Sequence, residues 1–161
     1  MEMPLATEDA DTHRLVTCLV SPRPIAWIST VDRHGDPNLA PYSYFNLVNT
    51  EPPVVMFSAE QKYGELKHTP SNALETGGFV LNVVTRATVA AMDRTAEPSQ
   101  PAVNEFDSAA LDHSPAVSVA APRVAECPAH LECTVRDSKE IHQSTIVFGD
   151  ITHIHIDDSI V

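Results

Sequence analysis

Residues 38–46 read Asn-Leu-Ala-Pro-Tyr-Ser-Tyr-Phe-Asn, a stretch dense in hydroxyls, amides and aromatic rings. Phe57-Ser58 follows after a further apolar run, and Lys67-His68-Thr69 stands just ahead of a helix start at Asn72. A phosphate dianion is held by backbone N–H groups, hydroxyl donors and a cation or two, and the first turn of a helix supplies several of these. In that chemistry Lys67 and Thr69 sit beside the helix start, and Ser58 arrives from a strand end. The plainer alternative makes Lys67 a solvated lysine and Thr69 a helix cap.

Other chemistries are weaker. His153, His155 and Asp157 alternate with Ile154 and Ile156, so on a strand they share one face. That is either a metal-binding His-x-His pair or, more simply, a polar face over a core face, and no third ligand stands out. Cys18, Cys127 and Cys133 form no C-x-x-C pair and have no nucleophile signature around them, which predicts buried structural thiols. Glu126 and Glu132 are a formal carboxylate pair of unknown separation. There is no G-x-G-x-x-G, P-loop or G-x-S-x-G, so dinucleotide, P-loop and nucleophile-elbow readings fall away. No catalytic side chain and no metal ligand is assigned.

The elements that must carry these residues are mostly strands. Short β-branched runs bounded by Pro, Gly, Asn or Asp predict strands at 15–20, 25–31, 38–48, 54–59, 79–85, 116–121, 130–137 and 145–157. Gly35, in Asp32-Arg33-His34-Gly35-Asp36, is free to take a positive φ and joins the second and third of these as a hairpin. Thr69-Pro70-Ser71-Asn72 opens a helix that Gly77-Gly78 ends, and Thr85 or Thr88 opens a second through Met92. Glu97–Asn104, with Pro98 and Pro101, reads as a loop. Many strands with short inserted helices predict a mainly β, antiparallel barrel or sandwich.

Composition bounds the partners. The 161 residues suit one domain, with 43% hydrophobic residues and 13 prolines against 5 glycines. Lys+Arg 10 against Asp+Glu 22 leaves a net charge of −12, which argues against nucleic acid or an anionic membrane as a partner. One anionic ligand in a local pocket is still compatible with that balance. The acidic stretch Met1 to His13 has no apolar run resembling a signal peptide, and the odd cysteine count suits reduced thiols, so the expectation is a cytoplasmic protein.

Taken together, the motifs are more specific than any one of them. Pro22-Arg23-Pro24-Ile25-Ala26-Trp27-Ile28-Ser29-Thr30, then Gly35, then 38–46, closely resembles the flavin reductase-like family, which includes flavoredoxins and FMN-binding split-barrel proteins. The likeness continues through Pro52-Pro53-Val54-Val55-Met56-Phe57-Ser58, Lys67-x-Thr69-x-x-Asn72 and Gly78-Phe79-Val80-Leu81-Asn82. It extends to Pro122–Pro128, Leu131-Glu132-Cys133 and Ile146–Asp150, in the same order, covering the chain after about residue 14.

The resemblance implies an antiparallel Greek-key split β-barrel, a homodimer, and non-covalent FMN near the dimer interface. It implies that Ser43, Tyr44, Phe45 and Asn46 line the flavin and its ribityl chain, that Ser58, Lys67 and Thr69 hold the phosphate, and that Arg23 and Pro24 lie near the ring system. Asn72 joins them or organises the helix start. The implied activity passes hydride or electrons from NAD(P)H through FMN to a flavin or another acceptor, the alternatives being a non-catalytic FMN-binding electron carrier and a barrel without ligand. His68 stands where the family commonly has an acid. The chain also stops at Val161, where family members continue, so the resemblance implies a missing C-terminal tail.

Overall fold

The computed structural model describes residues 10–61, 64–97 and 104–161. Helix α1 (Ala10–Leu19) leads into β1 (Ala26–Val31), β2 (Pro37–Tyr42), β3 (Phe45–Thr50) and β4 (Pro53–Glu60). Helix α2 (His68–Thr76), β5 (Gly78–Val83), α3 (Val89–Arg94) and α4 (Glu105–Ser108) follow. The chain ends with the short pair β6 (His113–Ser114) and β7 (Arg123–Val124), the long strands β8 (Ala129–Ile141) and β9 (Ser144–Ile156), and a 3-10 turn.

Seven strands make one antiparallel sheet in the order β2-β1-β5-β8-β9-β4-β3. It curls on itself: Tyr42 of β2 and Phe57 of β4, far apart in the strand order, meet with ring centroids 5.2 Å apart. This is an antiparallel split barrel, as the sequence predicts. The interior is filled by Ile28, Tyr42, Val55, Phe57, Phe79 and Val147 among others. A second apolar layer of Trp27, Leu39, Phe106, Val124 and Cys127 lies against α3 and Leu111. With apolar material on both faces, β1 is buried along its whole length, which is why it reads as an unbroken run instead of an alternating one.

The predicted turns hold. Gly35 takes φ +90° between β1 and β2. Pro70 stands in the first turn of α2, and Gly77 closes that helix with φ +78° and its N–H on Ala73 O at 2.9 Å. Thr88 is the N-cap of α3. Residues 98–103 of the predicted Glu97–Asn104 loop lie outside the described residues, while Asn104 caps α4 by accepting from Phe106 N at 2.9 Å.

Four strand expectations are corrected. Residues 15–19 belong to α1, and Thr17 Oγ1 donates back to His13 O at 2.9 Å; a six-residue apolar run fits either element and periodicity cannot separate them. The 38–48 arm is two strands, β2 and β3, at opposite ends of the sheet, separated by Ser43-Tyr44. Residues 116–121 are irregular, and the N–H groups of Val117 and Ser118 go to a side chain, Glu132, instead of a neighbouring strand. Finally, Ile154 and Ile156 are not a core face; they are 55% and 54% exposed. The β4–β9 ladder stops at Val54 and Asp150, so β9 beyond Asp150 has β8 on one side and, among the described residues, no strand on the other.

Candidate functional site

Ser43 and Tyr44 form the break between β2 and β3. Ser43 is half-buried, Tyr44 and Asn46 are exposed, and half-buried Phe45 packs on the interior cluster. The neighbouring strand brings in Ser58: its N–H donates to Tyr44 O at 2.8 Å, and Phe45 pairs with Phe57. Arg23 enters from the loop before β1, with its guanidinium 5.7 Å from the centre of the Tyr44 ring. The same guanidinium donates to Thr17 O and, at 2.8 Å, to Val20 O at the end of α1, where carbonyls lack helical partners. Its Nε is buried without a hydrogen-bond partner among the described residues. Pro24 is exposed beside it. Contacts therefore join Arg23, Tyr44, Phe45 and Ser58.

The second group lies around α2. Lys67 is exposed at the N-cap with extended backbone, and its side chain makes no capping bond. Thr69 and Asn72 face the protein interior. Thr69 is 1% exposed and its hydroxyl accepts from Asn38 Nδ2 at 2.8 Å; Asn72 donates to Thr30 Oγ1 at 3.3 Å. Burial pushes the nearby Tyr42 phenol up to about 12, with the Glu105 charge adding to it and the Thr69 hydroxyl opposing, so Tyr42 is a neutral phenol at pH 7.

A depression of about 690 Å³ opens next to Ser58, lined by Glu60 and by Ile141, His142, Gln143, Ser144 and Ile146 of the β8–β9 hairpin. Sequence reasoning missed this hairpin tip. Its one local signal is the His142-Gln143 turn, where His142 takes φ 52° without being glycine or asparagine.

The other candidates have structural partners. Glu132, fully buried, accepts from Val117 N at 2.8 Å, from Ser118 N and Oγ at 2.6 Å each, and from His155 Nε2 at 2.5 Å. Burial alone would raise its pKa; these donors outweigh burial and bring it down to about 2. Glu126 accepts instead from Asp112 N at 2.9 Å. His155 is thus committed to Glu132, and its ring lies 4.8 Å from that of His153. Among the described residues no group of three or more His, Cys, Asp or Glu is placed to hold a metal ion. Burial pushes the Cys127 thiol up to about 12 and raises Cys133 as well, so neither is a thiolate nucleophile, whereas Cys18 is exposed.

Residues 19–160 match the family model described as a flavin reductase like domain. The chain belongs to the flavin reductase-like family. An uncharacterised protein of Aquifex aeolicus is 39% identical over 163 residues, covering 100% of this chain and 83% of the relative. YwrF of Bacillus subtilis, also uncharacterised, is 30% identical over 156 residues, 93% of this chain and 76% of its own. The crystal structure of nitrilotriacetate monooxygenase component B from Bacillus cereus superposes with TM-score 0.92 at 28% identity, covering 100% of this chain and 84% of that one. Flavoredoxin of Desulfovibrio vulgaris gives TM-score 0.77 at 26% identity, over 87% and 73%. A flavin cofactor and flavin-related oxidoreductase chemistry follow from this family membership. Among the described residues no helix is long and apolar enough to cross a membrane.

Proposed function

We propose that the protein is an FMN-dependent oxidoreductase of the flavin reductase or flavoredoxin type, passing hydride or electrons from NAD(P)H to a flavin or another acceptor. The observation that carries this reading is the orphaned Arg23 Nε, a buried donor beside the Tyr44 ring in the segment that the family resemblance assigns to the flavin. A buried donor without an acceptor is costly, and a ring system rich in carbonyl and imine acceptors relieves that cost. Bound FMN supplies hydride acceptance at N5 and transfer of one or two electrons.

The chain's own residues bind and orient. Arg23 and the Ser43–Asn46 segment, with Pro24 alongside, provide donors and an aromatic surface for the ring and ribityl chain. Ser58, Lys67 and Thr69 form the phosphate corner, with Lys67 supplying the charge; Thr69 contributes through its backbone, since its side chain is buried against Asn38 and Tyr42. Asn72 organises the helix start through Thr30. Hydride transfer requires no side-chain acid or base, so none is assigned. A homodimer with the flavin near its interface is supported by exposed Leu47 and Val48 on β3 and Leu15, Val16 and Leu19 on α1.

The deciding experiment is an absorbance spectrum of the purified protein before and after anaerobic NADH or NADPH. Yellow protein bleached by one of them is expected. Yellow protein that neither nucleotide reduces makes it an electron carrier, and colourless protein that takes up no FMN removes the flavin reading. Lys67→Ala weakens FMN by about 1–3 kcal/mol in a fluorescence titration, the range for a lost charge-assisted hydrogen bond. Light scattering is expected to report a dimer; a stable monomer that binds FMN contradicts the interface placement.

A further inference from the structure

A buried polar cluster ties the phosphate corner to the barrel, and Asn38 is its hub. Asn38 lies on β2 with 8% exposure; its amide donates to Thr69 Oγ1 at 2.8 Å and reaches Thr30 Oγ1 on β1 at 3.4 Å. From α2, Asn72 donates to the same Thr30 hydroxyl at 3.3 Å. Two strands and one helix are thus joined through side-chain amides and hydroxyls in an apolar setting, where each unpaired group would be expensive.

The load on this cluster falls at one place. Thr69 comes two residues after Lys67, whose own side chain makes no capping bond. The chain around Lys67 is therefore held from beneath, through Thr69, by an amide on the sheet. We infer that Asn38 is a positioning residue for the flavin phosphate, fixing through Thr69 the backbone that carries Lys67. This deepens the FMN reading and rests on it. Asn38 is 8% exposed and its amide is occupied by the two threonine hydroxyls, so its part is to set where Lys67 stands and not to touch the ligand.

The test compares FMN with riboflavin, which has the same ring and ribityl chain but no phosphate, by fluorescence titration of the full chain. Asn38→Ala is expected to weaken FMN about tenfold, or about 1.4 kcal/mol, while riboflavin affinity changes by less than about twofold. Equal losses for both ligands, or none, overturn the inference, because a merely structural role does not distinguish them. If Asn38→Ala fails to fold, Asn38→Leu decides: it fills the same space without the amide donors to Thr69 and Thr30 and should show the same FMN-selective loss. Equal losses of FMN and riboflavin in that variant, or none, again overturn the inference. Lys67→Ala is the control for the reading beneath it. Should that variant not separate FMN from riboflavin, the phosphate is elsewhere and the positioning role falls with it; should it separate them while Asn38→Ala does not, only the positioning role fails.

Discussion

Glu132 shows how a single side chain holds an irregular segment in place. Its carboxylate, with no exposed surface, gathers the Val117 and Ser118 N–H groups, the Ser118 hydroxyl and the His155 ring. Because its folded pKa is about 2 against an ordinary 4.5, the unfolded chain takes up this proton first on acidification. The stability it contributes is complete above about 4.5 and is lost as pH falls towards about 2. Thermal melts across that window should show a shallower pH dependence for Glu132→Gln than for wild type. The variant itself should be less stable by about 1–3 kcal/mol, since its amide NH₂ meets donors. Gly149 makes a steric argument of the same kind. A Cβ there would lie 2.5 Å from Phe79 Cζ and 3.0 Å from Cys133 Cβ, so Gly149→Ala forces the core apart. Denaturant unfolding should show a loss of about 1–3 kcal/mol, as for other overpacked cores.

At the scale of elements, legibility followed how far local chemistry decides the outcome. Turns with a stereochemical requirement were readable: Gly35 and Gly77 adopt a positive φ, and Thr88, one of the two positions expected, stands at the N-cap of α3. Among the candidate site residues, Arg23, Tyr44, Phe45 and Ser58 do come together through contacts that no spacing rule contains. The inward orientation of Thr69 and Asn72 was hidden, because it depends on Asn38 and Thr30 arriving from strands distant in sequence. A similar non-local contact acts on segment 116–121, whose apolar residues read as a strand while Glu132 takes the N–H groups of Val117 and Ser118. Hydrogen exchange should separate the two views. In Glu132→Gln the amides of Val117 and Ser118 are expected to exchange faster, with β5 and β8 unchanged; faster exchange throughout the sheet would mean that Glu132 holds the barrel and not the segment.

For the whole molecule the dominant fact is the net charge of −12, set against a proposed pair of anionic ligands. On the proposed function both FMN and NAD(P)H would approach through a repulsive field, and the cations named for the site, Arg23 and Lys67, act only close to it. Arg23 is moreover spent in part on the α1 carbonyls Thr17 O and Val20 O. The screening length is about 10 Å at 0.1 M salt, so added salt quenches the long-range repulsion before it weakens contacts within the site. Capture of NAD(P)H should therefore speed up as ionic strength rises from low values, the reverse of an electrostatically steered enzyme. Stopped-flow reduction of the flavin at a series of salt concentrations measures this directly. A second-order rate that climbs with salt fits a site whose attraction is confined to its own few groups. A rate that falls would mean that Arg23, Lys67 and their neighbouring cations outweigh the acidic surface at distances well beyond contact.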